Sequence, residues 1–317
     1  MHIYWASVYK LPQSTIAEID KILKRFLWGH SDNVKGKAKV AWKYVCTPED
    51  QGSLGLKSLQ EWNEVLLIKQ LWKLIEKKNS LWFNWVNLVK LKDKVKNHVY
   101  ESDDGVVKSV TNSGKKVPYK TSQVWEDMRS VHQLVHWHQV IWFPQANPKH
   151  AFILWLIKLD RLTTQDKLAK WYPNLTFKCE LCGNCEDSVK HLFFECNFSR
   201  MVWTELKKNL LFKGLPGDIQ GIINTLARYP FRNQIWDVIN RITVAAVAYH
   251  VWQERNNRIF KGKRRNANEV LMIVEDGIRM KLASLMVKNS LQVKRAAEIW
   301  GMQVEMGRLK LGIGASI

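Results

Sequence analysis

Four of the five cysteines in this 317-residue chain fall in one short stretch, CELCGNCEDSVKHLFFEC, which runs from Cys179 to Cys196. Together with the histidine inside it they give the spacing C-x2-C-x8-H-x4-C. Thiolate and imidazole are the ligands a structural Zn2+ prefers, and a closed set of Cys179, Cys182, His191 and Cys196 leaves no coordination position for a reactive water. The chemistry predicted is therefore support of a fold by a metal ion. Cys185 makes a second, overlapping C-x2-C with Cys182, so the amino-terminal pair is Cys179/Cys182 or Cys182/Cys185. Gly183 and Asn184 suit a tight turn just after the first pair and favour it. Disulfide pairing is the competing use of these residues. The chain opens MHIYWASVYK, without the basic and apolar leader that would direct it to an oxidising compartment, so metal ligation is preferred.

Other chemistry-bearing residues form weaker sets. His132, His136, His138 and His150 complete no ligand set with cysteine and read as surface or capping residues. Asp103 and Asp104 stand before a glycine, the setting of a solvated turn. Cys46 has no companion near it in sequence and reads as a small buried apolar residue.

A metal turn needs elements to hold it. Upstream, Thr163 or Thr164 is placed to cap a helix through Asp166, Leu168 and Trp171 that delivers the chain to the cysteines. Within the stretch, Asp187 and Ser188 can cap a short helix carrying His191, with Phe193 and Phe194 packed beneath it. Cys196 lies more than one helical turn beyond His191 and would reach the metal from the end of that helix. Downstream, Met201, Val202, Trp203, Leu206 and Leu210 mark a helix broken by Gly214, Pro216 and Gly217. A long helix is predicted over about 233–260; its run ITVAAVAYHVW is about half the roughly 20 residues a bilayer requires and reads as buried core. One more amphipathic helix follows over 267 to about 286, and the tail after Trp300 is expected to fray.

Toward the amino terminus, Ile16, Ile19, Ile22, Leu23, Phe26 and Leu27 share one side of a helix that stops at Gly29. Residues 40–45 suggest a short strand or turn. Residues 59–77 read as a stronger helix with Trp62, Leu66, Leu67, Gln70, Leu71 and Leu74 on its faces and Trp72 on its flank, and 80–96 as another. Residues 97–119 are polar and aperiodic, the best candidate for a boundary. The predicted class is mainly α: a helical region over 1–96, a linker over 97–119, a small zinc-knuckle helical domain over 120–205 and a basic helical extension over 206–317.

The formal net charge is +20, from 49 Lys and Arg against 29 Asp and Glu. Such an excess opposes compaction unless an anion is near, which makes nucleic acid the leading partner class and an anionic membrane surface a weaker one. Arg255, Arg258, Lys261, Lys263, Arg264 and Arg265 cluster near Phe260 and suggest a phosphate-contacting surface with one aromatic beside it. Most of the 16 tryptophans occur at helical spacing with other apolar residues and read as core.

The motifs IWFP, PKHAFILWL, RLTTQDKL, C-x2-C and HLFFEC, with the VW that follows, resemble the reverse-transcriptase zinc-binding domain of plant LINE-type (non-LTR) retrotransposons. The resemblance implies Zn2+ held by Cys179, Cys182, His191 and Cys196; Cys185 stands outside the family pattern. The flanking IYWASVYKLPQSTIAEIDKILKRFLWG and the segment from KVAWKYV to LWKLI are similar to the thumb-like helical region that follows the polymerase palm. The likeness thus covers about Met1 to Trp203, and WQERNNRIF is similar to the region just beyond. The family is an RNA-directed DNA polymerase, whose palm carries metal-binding carboxylates in a Tyr/Phe-x-Asp-Asp box. Tyr100-Glu-Ser-Asp103-Asp104 has one residue too many for that box, and no acidic set aligns with a ribonuclease H domain. The implied molecule is a non-catalytic, carboxy-terminal piece of a retrotransposon polyprotein that binds element RNA or target DNA. The alternative is a protein-interaction module that docks on a polymerase body through Trp-rich helices. An intracellular setting, the nucleus included, and no membrane partner are expected.

Overall fold

The computed structural model describes residues 2–29, 38–75, 99–101, 107–110, 114–169, 177–212, 214–305 and 307–311. The predicted helix over 80–96, the pair Asp103 and Asp104, and Trp171 lie outside the described residues. The fold is mainly α, and the chain divides into two compact units, 1–48 with 53–133 and 49–52 with 134–317.

In the first unit, α1 (His2–Val8) and α5 (Thr121–Met128) pack against α4 (Leu59–Ile75), and α2 (Gln13–Trp28) also reaches it. Asn63 of α4 is the polar anchor. It is buried, its Nδ2 donates to the carbonyls of Ala6 and Tyr9 at 2.6 and 2.8 Å, and its Oδ1 accepts from Leu11 N at 3.0 Å. Those carbonyls belong to the end of α1, where helical acceptors lack partners of their own. Val65, Leu66, Leu67 and Ile68 are buried beside it. Trp72, expected on the flank, is instead in the core and stacks on Tyr119 with ring centroids 4.6 Å apart. Residues 42–45 form a helical turn, α3 (Trp42–Val45), rather than a strand. The segment 97–119, which composition marks as irregular, carries a three-stranded antiparallel sheet, β1 (Val99–Glu101), β2 (Val107–Val110) and β3 (Lys116–Val117). Its strands are two to four residues long, too short for alternation to register in sequence. On α2, Ile16 and Trp28 are buried, while Ile22, Leu23 and Phe26 face outward.

The second unit adds α6 (His138–Ile141), α7 (Pro148–Lys158), α8 (Gln165–Ala169), α9 (Asn197–Lys208), α10 (Ile219–Ala227), α11 (Ile235–Lys261), α12 (Ala267–Ala283) and α13 (Leu291–Ile299). Its axis is α11, against which α7 and α12 pack. Every residue from Val238 to Ala248 of α11 is buried, so the apolar run is a core helix; among the described residues no helix is long and apolar enough to cross a membrane. Asn147 starts α7 by accepting from Lys149 N at 3.1 Å, and Pro148 occupies a first-turn position where a missing N–H costs nothing. Leu154, Trp155, Leu156 and Ile157 are all fully buried, so α7 runs through the core rather than over it. Trp155 gives its indole N–H to Gly52 O at 2.9 Å, beside the short 3-10 turn Glu49–Gln51.

After α12 the described residues up to 311 return to regular structure rather than fray. Ser290 caps α13 by accepting from Val293 N, and β4 (Met302–Glu305) and β5 (Arg308–Leu311) form an antiparallel hairpin with Glu305 opposite Arg308. Trp300, Met302 and Leu309 are buried there. Gly307, at φ 73°, supplies the left-handed residue a two-residue hairpin turn requires.

Candidate metal centre

The chain enters the cysteine stretch through a backbone bridge between Lys178 and Glu186. Cys179 N then donates to Cys185 O, and Gly183 N to Cys179 O, both at 2.7 Å. Gly183 sits at φ 73°, the left-handed conformation that a glycine adopts without strain. The loop so closed turns the backbone N–H groups of Leu181 and Cys182 onto the sulfur of Cys179.

The HLFFEC segment is more bent than its helical spacing suggests. Ser188 Oγ accepts from His191 N at 3.2 Å, which starts a single wide turn over His191–Glu195. The turn breaks at Phe193 (φ −101°, ψ 88°) and Phe194 (φ 81°, ψ −4°). A positive φ is costly for an aromatic residue, and here the surroundings hold it. Phe194 N donates to Ser199 Oγ, Ser199 Oγ donates to Cys196 O, and the Phe194 ring stacks on Trp203 at 4.8 Å. Leu192, Phe193 and Phe194 are buried. The kink swings Cys196 back toward His191 and makes it the N-cap residue of α9. Cys196 thus approaches through a break in the backbone rather than from the end of a regular helix.

Cys179 Sγ, Cys182 Sγ, His191 Nε2 and Cys196 Sγ are brought together, with the ligand atoms of the four residues all within 4.8 Å of one another. The Cys179–Cys196 sulfur separation is 3.9 Å and Cys182 Sγ lies 3.3 Å from His191 Nε2. Tetrahedral ligation with metal–sulfur bonds near 2.3 Å and metal–nitrogen bonds near 2.0–2.1 Å requires about 3.8 and about 3.6 Å for these separations. The cluster therefore fits a tetrahedral cation with small adjustments. The Cys179 and Cys196 sulfurs share a hydrogen bond that, with burial, raises the pKa of Cys179, and the same bond lowers that of Cys196. The N–H groups of Phe198 and Ser199 at the start of α9 further favour a thiolate on Cys196. Cys185 is exposed and outside the cluster.

The cluster is held from behind by α11. Asp187, fully buried, accepts from Arg255 Nη2 at 2.5 Å and from Nε at 3.4 Å; Arg255 is itself 3% exposed and lies over Trp252. Asp187 Oδ2, the oxygen that takes Arg255 Nη2, also accepts from Gln165 N at 2.8 Å, so Asp187 caps α8 rather than the His191 turn, while Thr164 is buried without its hydroxyl in that role. One turn further along α11, Arg258 Nη1 donates to the carbonyls of Glu180 and Leu181, between the two ligands of the C-x2-C turn, at 2.9 and 3.1 Å. Arg255 and Arg258, expected at a phosphate-facing surface, are thus committed to the protein interior. Burying a guanidinium is costly unless it is paired and hydrogen-bonded, and both are. Lys261, Lys263, Arg264 and Arg265 remain exposed.

Composition did not mark Asp187, Ser199 or Arg258 as supports of the cluster. Ser199, three residues after Cys196, offered a local signal; the contact from Arg255 to Asp187 spans 68 residues of chain and offered none. None of His132, His136, His138 and His150 joins the cluster. His138 Nδ1 lies 2.7 Å from Val135 O. His150 stacks on Tyr249 at 4.5 Å beside His250, and burial followed by the neighbouring His250 pushes its pKa down to about 4. Cys46 is buried, and burial with Asp20 and Glu61 nearby raises its thiol to about 11.

Residues 119–203 match a family described as zinc-binding in reverse transcriptase. A protein of Arabidopsis thaliana carrying a ribonuclease H name is 37% identical over 82 residues, 26% of this chain and 13% of that protein. An uncharacterized mitochondrial protein of the same plant is 29% identical over 80 residues, 25% of this chain and 52% of its own length. The chain therefore spans about half the length of one of these curated relatives and about an eighth of the other. No solved structure matches it.

Proposed function

With residues 119–203 a plant retrotransposon reverse-transcriptase zinc-binding region, we propose that the chain is an accessory, non-catalytic part of a LINE-type (non-LTR) element. In it Cys179, Cys182, His191 and Cys196 hold Zn2+, and the basic end of α11 binds RNA or DNA. The observation that supports this is the position of the loop Lys261–Arg265. It presents exposed cations, and Arg264 Nη2 lies 3.5 Å from Glu180 Oε2 of the C-x2-C turn. The zinc would act as a structural clamp: bound by four protein ligands it has no open position for chemistry. Binding at the loop would be electrostatic and tolerant of sequence, through Lys261, Lys263, Arg264 and Arg265, with Phe260, 76% exposed, as a stacking platform.

The test is salt dependence. If those four cations neutralise phosphates, affinity for a single-stranded RNA or a DNA duplex falls roughly 50- to 150-fold between 50 and 200 mM salt. Binding that hardly changes over that range would refute the electrostatic reading. Metal-dependent primer extension by the purified chain would refute the non-catalytic one.

A second reading rests on the first unit. Trp5, Ile22, Leu23 and Phe26 are exposed there, Phe26 at 88%, as a protein-docking face on a polymerase body would be. Trp28, Trp72, Trp125, Trp137, Trp155, Trp203, Trp236, Trp252 and Trp300 are buried, so such docking would use α1 and α2 rather than tryptophan-rich helices in general. Binding of a polymerase fragment that survives high salt and is lost on Phe26→Ser would favour it.

A further inference from the structure

The guanidinium of Arg258 is shared between two places. Its Nη1 donates to Glu180 O and Leu181 O in the metal-binding turn, and its Nη2 donates to Arg265 O at 2.6 Å in the basic loop. Its Nε donates to Glu254 Oε1 at 2.8 Å, and the same carboxylate oxygen accepts from Arg265 N, also at 2.8 Å. Arg258 and Glu254 are 9% and 2% exposed at the side chain, so their mutual bond and those to residues 180 and 181 are shielded from competing water and gain strength from it, while the bond to Arg265 O is exposed. The Arg258 guanidinium also lies 4.7 Å from the Phe198 ring in the first turn of α9, immediately after the ligand Cys196.

Between α11 and α12 the loop is otherwise short of internal support. Gly262 closes α11 in the left-handed conformation, Lys263 N reaches Asn257 O at 3.3 Å, and the next anchors are the N–H and carbonyl of Arg265. Then Asn266 opens α12 with a capping box to Glu269. The exposed loop is therefore held through Arg258 and Glu254, with Arg264 in a direct contact to Glu180, and Arg258 is fixed in part by the carbonyls of residues 180 and 181. Those carbonyls lie in the turn between Cys179 and Cys182, two of the four side chains that would hold the metal.

We propose that Arg258 is a positioning residue that couples the metal site to the basic loop, so that loading the metal orders Lys261–Arg265 and strengthens phosphate binding there. The inference rests on the metal-binding reading of the cluster and deepens the nucleic-acid reading of the loop. Coupling of this kind is reciprocal: metal must raise nucleic-acid affinity by the factor by which nucleic acid raises metal affinity.

The experiment uses the full chain, with Co2+ as a spectroscopic probe and Zn2+ for binding work. Amide hydrogen exchange over residues 262–266 is followed with and without metal, alongside affinity for a single-stranded RNA oligonucleotide at fixed salt. The wild type should show slower exchange at Arg265 N–H on metal loading and oligonucleotide affinity higher by about 5- to 150-fold. In Arg258→Gln, exchange in the loop should no longer respond to metal, Co2+ affinity should fall roughly 10- to 100-fold as for other supports of ligating groups, and Arg258→Lys should restore part of each. Arg279→Gln is the control: Arg279 bonds Trp300 O and pairs with Asp276 on α12, away from the cysteines. Loop exchange indifferent to metal in the wild type, or an equal loss of Co2+ affinity in Arg279→Gln, would overturn the coupling. A metal-responsive loop in a protein that binds no oligonucleotide would leave the coupling standing and overturn the nucleic-acid reading. A responsive loop with metal-independent oligonucleotide affinity would overturn the loop as the phosphate surface.

Discussion

Asp187→Asn isolates the support that a single buried carboxylate gives to the metal-binding region. Its partner Arg255 is 3% exposed and Asp187 is 0% exposed, so the substitution leaves a guanidinium charge in the interior with Asn256 Oδ1 and the Trp252 ring as its remaining company. Two unit charges about 4 Å apart attract by about 4 kcal/mol at an effective dielectric of 20, and breaking a buried pair from one side costs about 3–5 kcal/mol. Weakening the cap on Gln165 N adds up to about 1 kcal/mol. The expected loss of about 3–6 kcal/mol is a large share of the roughly 5–15 kcal/mol that holds a domain together. Urea unfolding under saturating Zn2+, with hydrogen exchange at the α11 amides as the local readout, measures it in the second unit while the first serves as an internal reference. The double variant Asp187→Asn with Arg255→Met removes the stranded charge, so it should lie within about 2 kcal/mol of the wild type. A loss below about 1 kcal/mol in the single variant, or a double variant that costs the sum of the two singles, would refute a buried ion pair as the anchor.

Cys185→Ser should keep one metal per chain by elemental analysis, since Cys185 is exposed and outside the cluster, whereas Cys179→Ser should lose the metal and loosen the segment through Trp203. Phe194→Gly should relieve the left-handed backbone but forfeit a buried ring stacked on Trp203, for a net loss of about 2–4 kcal/mol in a thermal melt; a stabilised variant would show that the ring does not hold the kink. His150 carries a pH dependence. Its folded pKa near 4 lies below the usual 6.5, so the unfolded state takes up the proton first, and stability present above about pH 6.5 is lost as pH falls toward 4. The full shift corresponds to about 3 kcal/mol and partial exposure reduces it to about half. His250 of α11, Lys149 beside His150 on α7 and Lys281 of α12 act in the same direction, and His150→Phe should flatten the slope of Tm between pH 4.5 and 7.

The parts of this molecule legible from sequence are those decided by neighbours close in the chain. The spacing of Cys179, Cys182, His191 and Cys196 and the glycine after the second cysteine are local patterns, and the structure brings the four side chains together. The apolar run in α11 is likewise local, and the helix extends from 235 to 261 against an expected 233 to 260. What stayed hidden depends on distant partners. Arg255 and Arg258 look like surface cations until Asp187 and two loop carbonyls, more than sixty residues away, are placed against them. The break at Phe194 was hidden for a related reason: HLFFEC has helical spacing, and the hydrogen bonds through Ser199 and the Trp203 stack override it. The hairpin after Trp300 escaped because strands of four residues carry too little periodicity to separate from a frayed end.

The small turn at 49–52 has a bearing on modularity. Those residues belong to the second unit although the chain around them belongs to the first, and Gly52 O is the acceptor for the fully buried indole of Trp155. The carboxy-terminal unit is therefore not a portable cassette. Expressed from residue 134 onward, it would strand an indole N–H in its core at about 1–3 kcal/mol, and during synthesis it could close only around a clip translated some eighty residues earlier.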